Sequence, residues 1–257
     1  MLIILSSAKI LNINHQSLVA EYTLPEFLQK SQELINRIRD LDINDLAHLS
    51  ASSIAIAKTN YERFYNWHLP FTPDNAKQAV LVFNGEVFNG LQARSFNYDD
   101  FMYVQDHLRI LSGLYGVLRP LDLIQPYRLE ISSKLDVGGY NNLYDFWADD
   151  ITPMLINDLK HSGKPEVLIN LASNEYFKSI NRNILKARVL HIEFYDIKAG
   201  NLKTIVVYTK KARGMMARYI IKNRIEDPEL IKGFDEDNYL FSSELSSDNT
   251  FVFIRKS

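Results

Sequence analysis

The densest run of chemically capable side chains lies between Ile197 and Ile225, a stretch without a single acidic residue. Lys198, Lys203, Lys210, Lys211, Arg213, Arg218, Lys222 and Arg224 give it a charge of +8. From Glu226 to Thr250 the sign reverses. Glu226, Asp227, Glu229, Asp235, Glu236, Asp237, Glu244 and Asp248 stand against Lys232 alone, for −7. On an ideal helix Lys211, Arg218 and Lys222 fall within about 40° of one another, with Ala212, Met216 and Tyr219 forming an apolar stripe a quarter-turn away. A rigid support carrying Lys as a mobile point charge and Arg as a planar fork is what phosphate contacts need. Lys210 and the Arg213/Arg224 pair point elsewhere, so roughly three to five of the eight cations can share one ligand. The competing reading is that the basic and acidic blocks neutralise each other through the fold, as charge runs are usually solvated faces.

A second candidate is the segment His107–Glu130. There an amphipathic helix is expected to end at Leu111-Ser112-Gly113-Leu114-Tyr115-Gly116. Gly113 and Gly116, set among apolar residues, can turn backbone N–H groups toward a phosphate, and Arg109, Arg119 and Arg128 lie nearby. Against this stands the reading of both glycines as caps and turns in a packed helical hairpin. A third candidate is a pocket for a nucleobase or nucleotide, built from Ser6, Lys9, Asn174, Glu175, Lys178 and Lys210. In it a lysine of lowered pKa would be the nucleophile and Glu175 the acid or base. The segment Asn174–Lys178 reads equally as a helix start that packs its aromatics.

Other chemistry is excluded. Ser6-Ser7-Ala8-Lys9 matches the Ser-x-x-Lys nucleophile motif literally, but the Ser-Asp-Asn and Lys-Thr-Gly partners are absent. The histidines His15, His48, His68, His107, His161 and His191 are scattered, and His191 and Glu193 are simply same-face neighbours of a strand. No metal site or cofactor is expected, since no Walker loop, dinucleotide-binding glycine motif or nucleophile elbow occurs. The chain has no cysteine, which removes thiol catalysis, zinc fingers, iron–sulfur clusters and disulfides.

These groups must be carried by an ordinary globular framework. The 257 residues are 46% hydrophobic and 23% charged, with a net charge of −2 that conceals the two opposed blocks. No apolar run approaches the ~18 residues of a membrane span, and Met1–Leu5 is too short for a signal-peptide core. A cytoplasmic monomer is the expectation. Strands are expected at Met1–Leu5, Ala79–Phe83 and Val167–Leu171, the last central. Ala187–Tyr195 and Leu202–Thr209 should form a hairpin about Ala199-Gly200-Asn201, and Tyr239–Phe241 with Thr250–Ile254 a closing one. Helices are expected from Pro25 to Asp40 with Thr23 as cap, over Ser52–Trp67, Asp99–Leu111 and Lys210–Ile225, and over Leu143–His161 with a break near Pro153. Without a regular strand–helix alternation, an α+β class in one domain spanning residues 1–257 is favoured.

Four blocks make the sequence recognisable: Phe83–Ala93, His107–Glu130, Asn170–Ile180 and Tyr208–Ile225. In them, and along its length, the chain resembles the YaaA family of bacterial peroxide-stress response proteins. It departs at the opening, where Ser6-Ser7-Ala8-Lys9-Ile10-Leu11 replaces the usual Ser-Pro-Ala-Lys-Thr-Leu. The resemblance implies a single compact mixed domain with a helix-hairpin-helix-like element and a positively charged cleft that binds double-stranded DNA. It also implies protection during hydrogen peroxide stress by lowering free iron and so limiting Fenton damage. Carried over, Leu111, Gly113 and Gly116 would be the hairpin. Lys210, Lys211, Arg213, Arg218, Lys222 and Arg224 would be the cleft. No catalytic role carries over. Little sequence specificity is expected, because nothing obvious supplies base readout.

Overall fold

The computed structural model describes residues 1–14, 17–198 and 200–256. His15 and Ala199, named above, lie outside the described residues. The strands in chain order are β1 Leu2–Ser6, β2 Ile10–Leu11, β3 Lys77–Gln78, β4 Phe83–Asn84, β5 Leu108–Ser112 and β6 Gly116–Leu118. They continue with β7 Leu123–Ile124, β8 Val167–Asn170, β9 Arg188–Lys198, β10 Asn201–Lys203, β11 Tyr239–Phe241 and β12 Thr250–Lys256. The helices are α1 Leu28–Arg39, α2 Ile43–Leu49, α3 Ile54–Asn66, α4 Ala79–Val82 and α5 Glu86–Leu91. After them come α6 Tyr98–His107, α7 Leu143–Phe146, α8 Ile151–His161, α9 Asn174–Phe177 and α10 Val206–Lys222.

Leu2–Leu5 and Val167–Asn170 are apolar along almost their whole length and buried at every residue. A strand covered on both faces requires such unbroken runs, because each alternate side chain meets a helical layer. The main sheet runs β11-β12-β9-β8-β1-β5-β6, with β10 on β9. β12, β9, β8, β1 and β5 are mutually parallel, with Ile3 level with Leu108 on one side and Ile169 on the other. Antiparallel partners close the edges at β6, β10 and β11. The architecture is thus a mixed α/β domain with a mostly parallel sheet, which corrects the α+β expectation. Among the described residues the crossover from β1 to β5 carries six helices, the short β2–β4 ribbon and β3, which pairs with β7 beyond β5, so no regular alternation is visible in the sequence. β8 does sit at the centre, and β11 and β12 do pair. The buried apolar residues form one continuous cluster.

Several expected elements change. Ala79–Val82 is helical, and only Phe83–Asn84 extends. Thr23 does not cap α1. Its hydroxyl donates to Asp122 at 2.6 Å, and α1 starts at Leu28. The break in Leu143–His161 falls between α7 and α8, before Pro153, which sits in the first turn of α8. A proline is tolerated there because its N–H would be unpaired anyway. Leu202–Thr209 is strand only to Lys203, and α10 begins at Val206.

The expected helical hairpin is not formed at Leu111–Gly116. Residues 108–118 are two antiparallel strands, paired from Ile110↔Leu118 to Ser112↔Gly116. Every residue of β5 is buried. A short apolar run cannot be assigned to helix or strand by its period, and here sheet pairing with β1 decides.

Candidate functional site

The chain leaves β1 for β5 on one side of the sheet, then returns to β8, β9 and β12 on the other. Between β1 and β8 the winding direction reverses. In open parallel sheets the loops at the carboxyl ends of two such strands diverge and leave a crevice, the usual place for a ligand. Here those loops are Ser6-Ser7-Ala8-Lys9 and Leu171-Ala172-Ser173, and a pocket of about 320 Å³ lies between them. The loops are tied together at its floor. Ser6 Oγ accepts the Ser173 N–H at 2.9 Å, and Ser7 Oγ donates to the Tyr176 hydroxyl at 3.1 Å. Burial pushes the Tyr176 phenol up, and that of neighbouring Tyr127 up to about 12, so both keep their protons.

The far wall is α10, which brings Lys210 and Arg213 to the pocket. Two glycines set its position. A methyl at Gly214 would lie 1.8 Å from the Val87 carbonyl oxygen, and one at Gly90 would lie 2.1 Å from that of Lys211. Only hydrogen at both positions lets α5 and α10 cross so closely. Arg213 Nε is buried without a hydrogen-bond partner. Burial lowers its pKa, and Glu193 acts in the opposite direction.

Glu130 completes the site and was not singled out from the sequence. It is 8% exposed, with Lys9 Nζ 2.9 Å and Arg128 Nε 3.4 Å from Oε1. These are ion-pair distances without hydrogen-bond alignment, so both carboxylate oxygens and Arg128 Nε stay without a hydrogen-bond partner. A lone acid between Leu129 and Ile131, both buried, was the available signal. Glu175 lines the same pocket and accepts a hydrogen bond from Ser132 Oγ at 2.6 Å. A wider groove of about 800 Å³ shares Lys9, Glu130 and Glu175 and runs on past Arg37, Asp45, Lys134 and Asp136. Its walls are of mixed sign, not uniformly basic.

Of the residues singled out from the sequence, Ser6, Lys9, Glu175, Lys210 and Arg213 do converge. Asn174 and Lys178 are exposed on or just after α9, beside them in sequence. The remainder are engaged elsewhere. Lys211 meets Asp237 and Arg218 meets Glu236, each at 3.8 Å. Lys222 and Arg224 both meet Asp100, the N3 residue of the capping box of α6. The acidic segment therefore neutralises part of the basic helix, as the competing reading held. Arg109 is buried against Asp158 at 2.6 Å, and Arg119 pairs with the fully buried Asp122. A methyl at Gly113 would lie 2.3 Å from the Leu129 carbonyl oxygen, and one at Gly116, whose φ is +67°, would lie 3.0 Å from Trp147. Both glycines serve close packing inside the protein, and Trp147 Nε1 donates to the Gly113 carbonyl at 3.0 Å.

His191 shares a hydrogen bond with Asn170 at 3.0 Å. Among the described residues no group of three or more His, Asp or Glu side chains is arranged to hold a metal ion. No helix among them is long and apolar enough to cross a membrane.

Comparison with known proteins places this geometry in a lineage. The family model described as peroxide stress protein YaaA matches residues 1–245. The UPF0246 protein RSc2009 of Ralstonia nicotianae is 46% identical over 256 residues, covering 100% of this chain and 99% of the relative. Both matches span nearly the whole chain, and the chain belongs to the YaaA family of peroxide stress proteins.

Proposed function

We propose that this peroxide stress protein binds double-stranded DNA with little sequence specificity, using the rim of the crevice between β1 and β8 instead of the outward face of α10. One observation carries this. The cations Lys211, Arg218, Lys222 and Arg224 are each ion-paired within the protein, whereas among the described residues Lys178 and Lys210 meet no carboxylate and stand exposed at or beside the crevice, next to Lys9, which stays exposed although it pairs with Glu130. Phosphate contacts need cations free to displace condensed counterions. Gel shifts with a short duplex across a salt series test the reading. Log K should fall by about 0.9 per unit of log salt for each phosphate neutralised. Replacing Lys9, Lys178 and Lys210 by Ala should weaken binding about tenfold or more, while Lys211→Ala with Arg218→Ala changes it less than about twofold. The reverse order would return the contact to the outward face of α10. Lowering of free iron, which the family resemblance implies, is proposed as an indirect consequence of this binding. Stoichiometric, tight Fe(II) binding by the purified chain would refute that.

A second reading is favoured by the pocket itself. Lys9, Glu130, Glu175, Lys210 and Arg213 converge on an enclosure suited to one small molecule, which supports an enzyme acting on a nucleobase or nucleotide. Glu130 or Glu175 would then be the acid or base. Turnover of a nucleotide or nucleobase that is lost on Glu130→Gln and Glu175→Gln, with folding intact, is its test.

A further inference from the structure

We propose that the pocket between the loops after β1 and β8 is a binding site for one nucleoside monophosphate unit, its phosphate held by Arg213 and Lys210 and a hydroxyl or amino hydrogen received by Glu130. The inference rests on the second reading above and names the ligand class and its orientation.

The argument starts from two buried groups of opposite sign on one cavity. Arg213 Nε has no acceptor, and the Glu130 oxygens have no aligned donor. A buried polar atom left without a partner is costly, so natural structures seldom keep one that nothing ever fills. The two do not pair with each other. Arg213 stands on α10 and Glu130 in the segment after β7, and each is held where it is. Gly214 seats the arginine's helix against α5, and the Lys9 and Arg128 cations flank the glutamate.

A single molecule satisfies both ends only if it carries an anionic acceptor group and, apart from it, a hydrogen donor. A planar guanidinium beside an ammonium matches a phosphate monoester, because the fork binds two oxygens while the lysine adds a mobile charge. A buried carboxylate repels phosphate, so the two ends are not interchangeable and the ligand is oriented. Between them Val87, Phe88 and Leu171 give apolar surface for a planar base. The volume, about 320 Å³, is at the lower end for ligand cavities and admits one nucleotide but no duplex. The same chemistry is offered by a free mononucleotide and by one nucleotide turned out of a strand.

Titration calorimetry of the full chain with adenosine, guanosine, cytidine and uridine monophosphates, with adenosine, and with inorganic phosphate decides this. At least one monophosphate should bind, about tenfold or more tighter than adenosine or phosphate alone. Arg213→Gln should erase the advantage over the nucleoside, leaving adenosine within about twofold of its original affinity. Glu130→Gln should weaken both, and Arg213→Lys should restore part of the loss. Unfolding curves of each variant confirm that it is folded. Should Arg213→Gln not fold, Lys210→Ala carries the same expectation at smaller size. The proposal fails if no monophosphate binds by about 1 mM, or if Arg213→Gln leaves the preference for phosphate intact. A duplex with one unpaired nucleotide, competed with the monophosphate, separates the sources. Competition assigns the site to a nucleotide of the strand, and independence assigns it to the free nucleotide. Loss of duplex binding in Lys9/Lys178/Lys210 variants that still bind the monophosphate would overturn the rim reading alone.

Discussion

The two faces of α10 carry the same residue types in different surroundings. On the outward face Lys211, Arg218 and Lys222, with Arg224 just past the helix end, meet Asp237, Glu236 and Asp100, so their charge is spent inside the molecule. On the pocket face Lys210 stays exposed and meets no carboxylate among the described residues, and Arg213, whose Nε is buried without a hydrogen-bond partner as that of Arg218 is, has no ion pair to match the one Arg218 makes with Glu236. What separates them is who sits opposite. The 226–250 segment and the cap of α6 bring carboxylates within ion-pair distance of the outward row, while the pocket's Glu130 and Glu175 face Lys9, Arg128 and Ser132 and pair with neither Lys210 nor Arg213. Charge counted along a sequence therefore marks where cations are, and packing decides which of them are available to a partner.

The comparison is broken most severely at the hinge between the two faces. Gly214→Ala forces a methyl into the Val87 carbonyl. It should destabilise the protein by about 3 kcal/mol and loosen both rows together, read as a lowered denaturant midpoint with an unchanged slope. Next in size is Asp100→Asn, which leaves Lys222 and Arg224 without their shared carboxylate and weakens the capping box of α6. The expected loss is about 2 kcal/mol, between the values for an exposed and a buried pair, because both cations are a third or more exposed.

The same residue gives a pH signature. Burial pushes the Asp100 carboxyl up. Hydrogen bonds from Lys222, the Asn97 backbone and Arg224 outweigh that and hold it below the ordinary carboxylate value. A depressed folded pKa means the unfolded chain binds the proton more readily. The stabilisation is then complete above the unfolded value near 4 and is lost as pH falls through the lower folded value. The wild-type acid-unfolding curve should show this loss, and Asp100→Asn should flatten it. The smallest effect sharpens the comparison instead of breaking it. Asp237→Asn with Glu236→Gln should cost about 1 kcal/mol, since the 3.8 Å pairs to Lys211 and Arg218 are partly exposed and Asp237 also pairs with Arg255, which keeps Asp196. If the outward row is silent only because it is neutralised, the same double variant should strengthen duplex binding at low salt.

Legibility from the sequence varied by segment for physical reasons. Leu2–Leu5 and Val167–Asn170 were readable as strands because strands buried on both faces are apolar throughout. Leu108–Ser112 was not, because Leu-Arg-Ile-Leu-Ser fits a helix face equally well until β1 pairs with it. Part of the pocket was visible as Ser6, Lys9, Glu175, Lys210 and Arg213, all polar groups next to a strand end or on a cationic helix. Glu130 was hidden, as nothing local tells a buried functional acid from a surface one.

The sequence by itself determined the family, the inventory of charge and the absence of any thiol. A chain without cysteine cannot sense or scavenge peroxide through a thiol. Tertiary structure alone decided which cations face carboxylates and that the glycines at 113 and 116 serve packing. It also decided that the loops after β1 and β8 enclose a pocket. Those outcomes depend on contacts between residues as far as 169 positions apart, as with Ser7 and Tyr176. No local pattern encodes them, because the sheet order is chosen by the burial of the whole core.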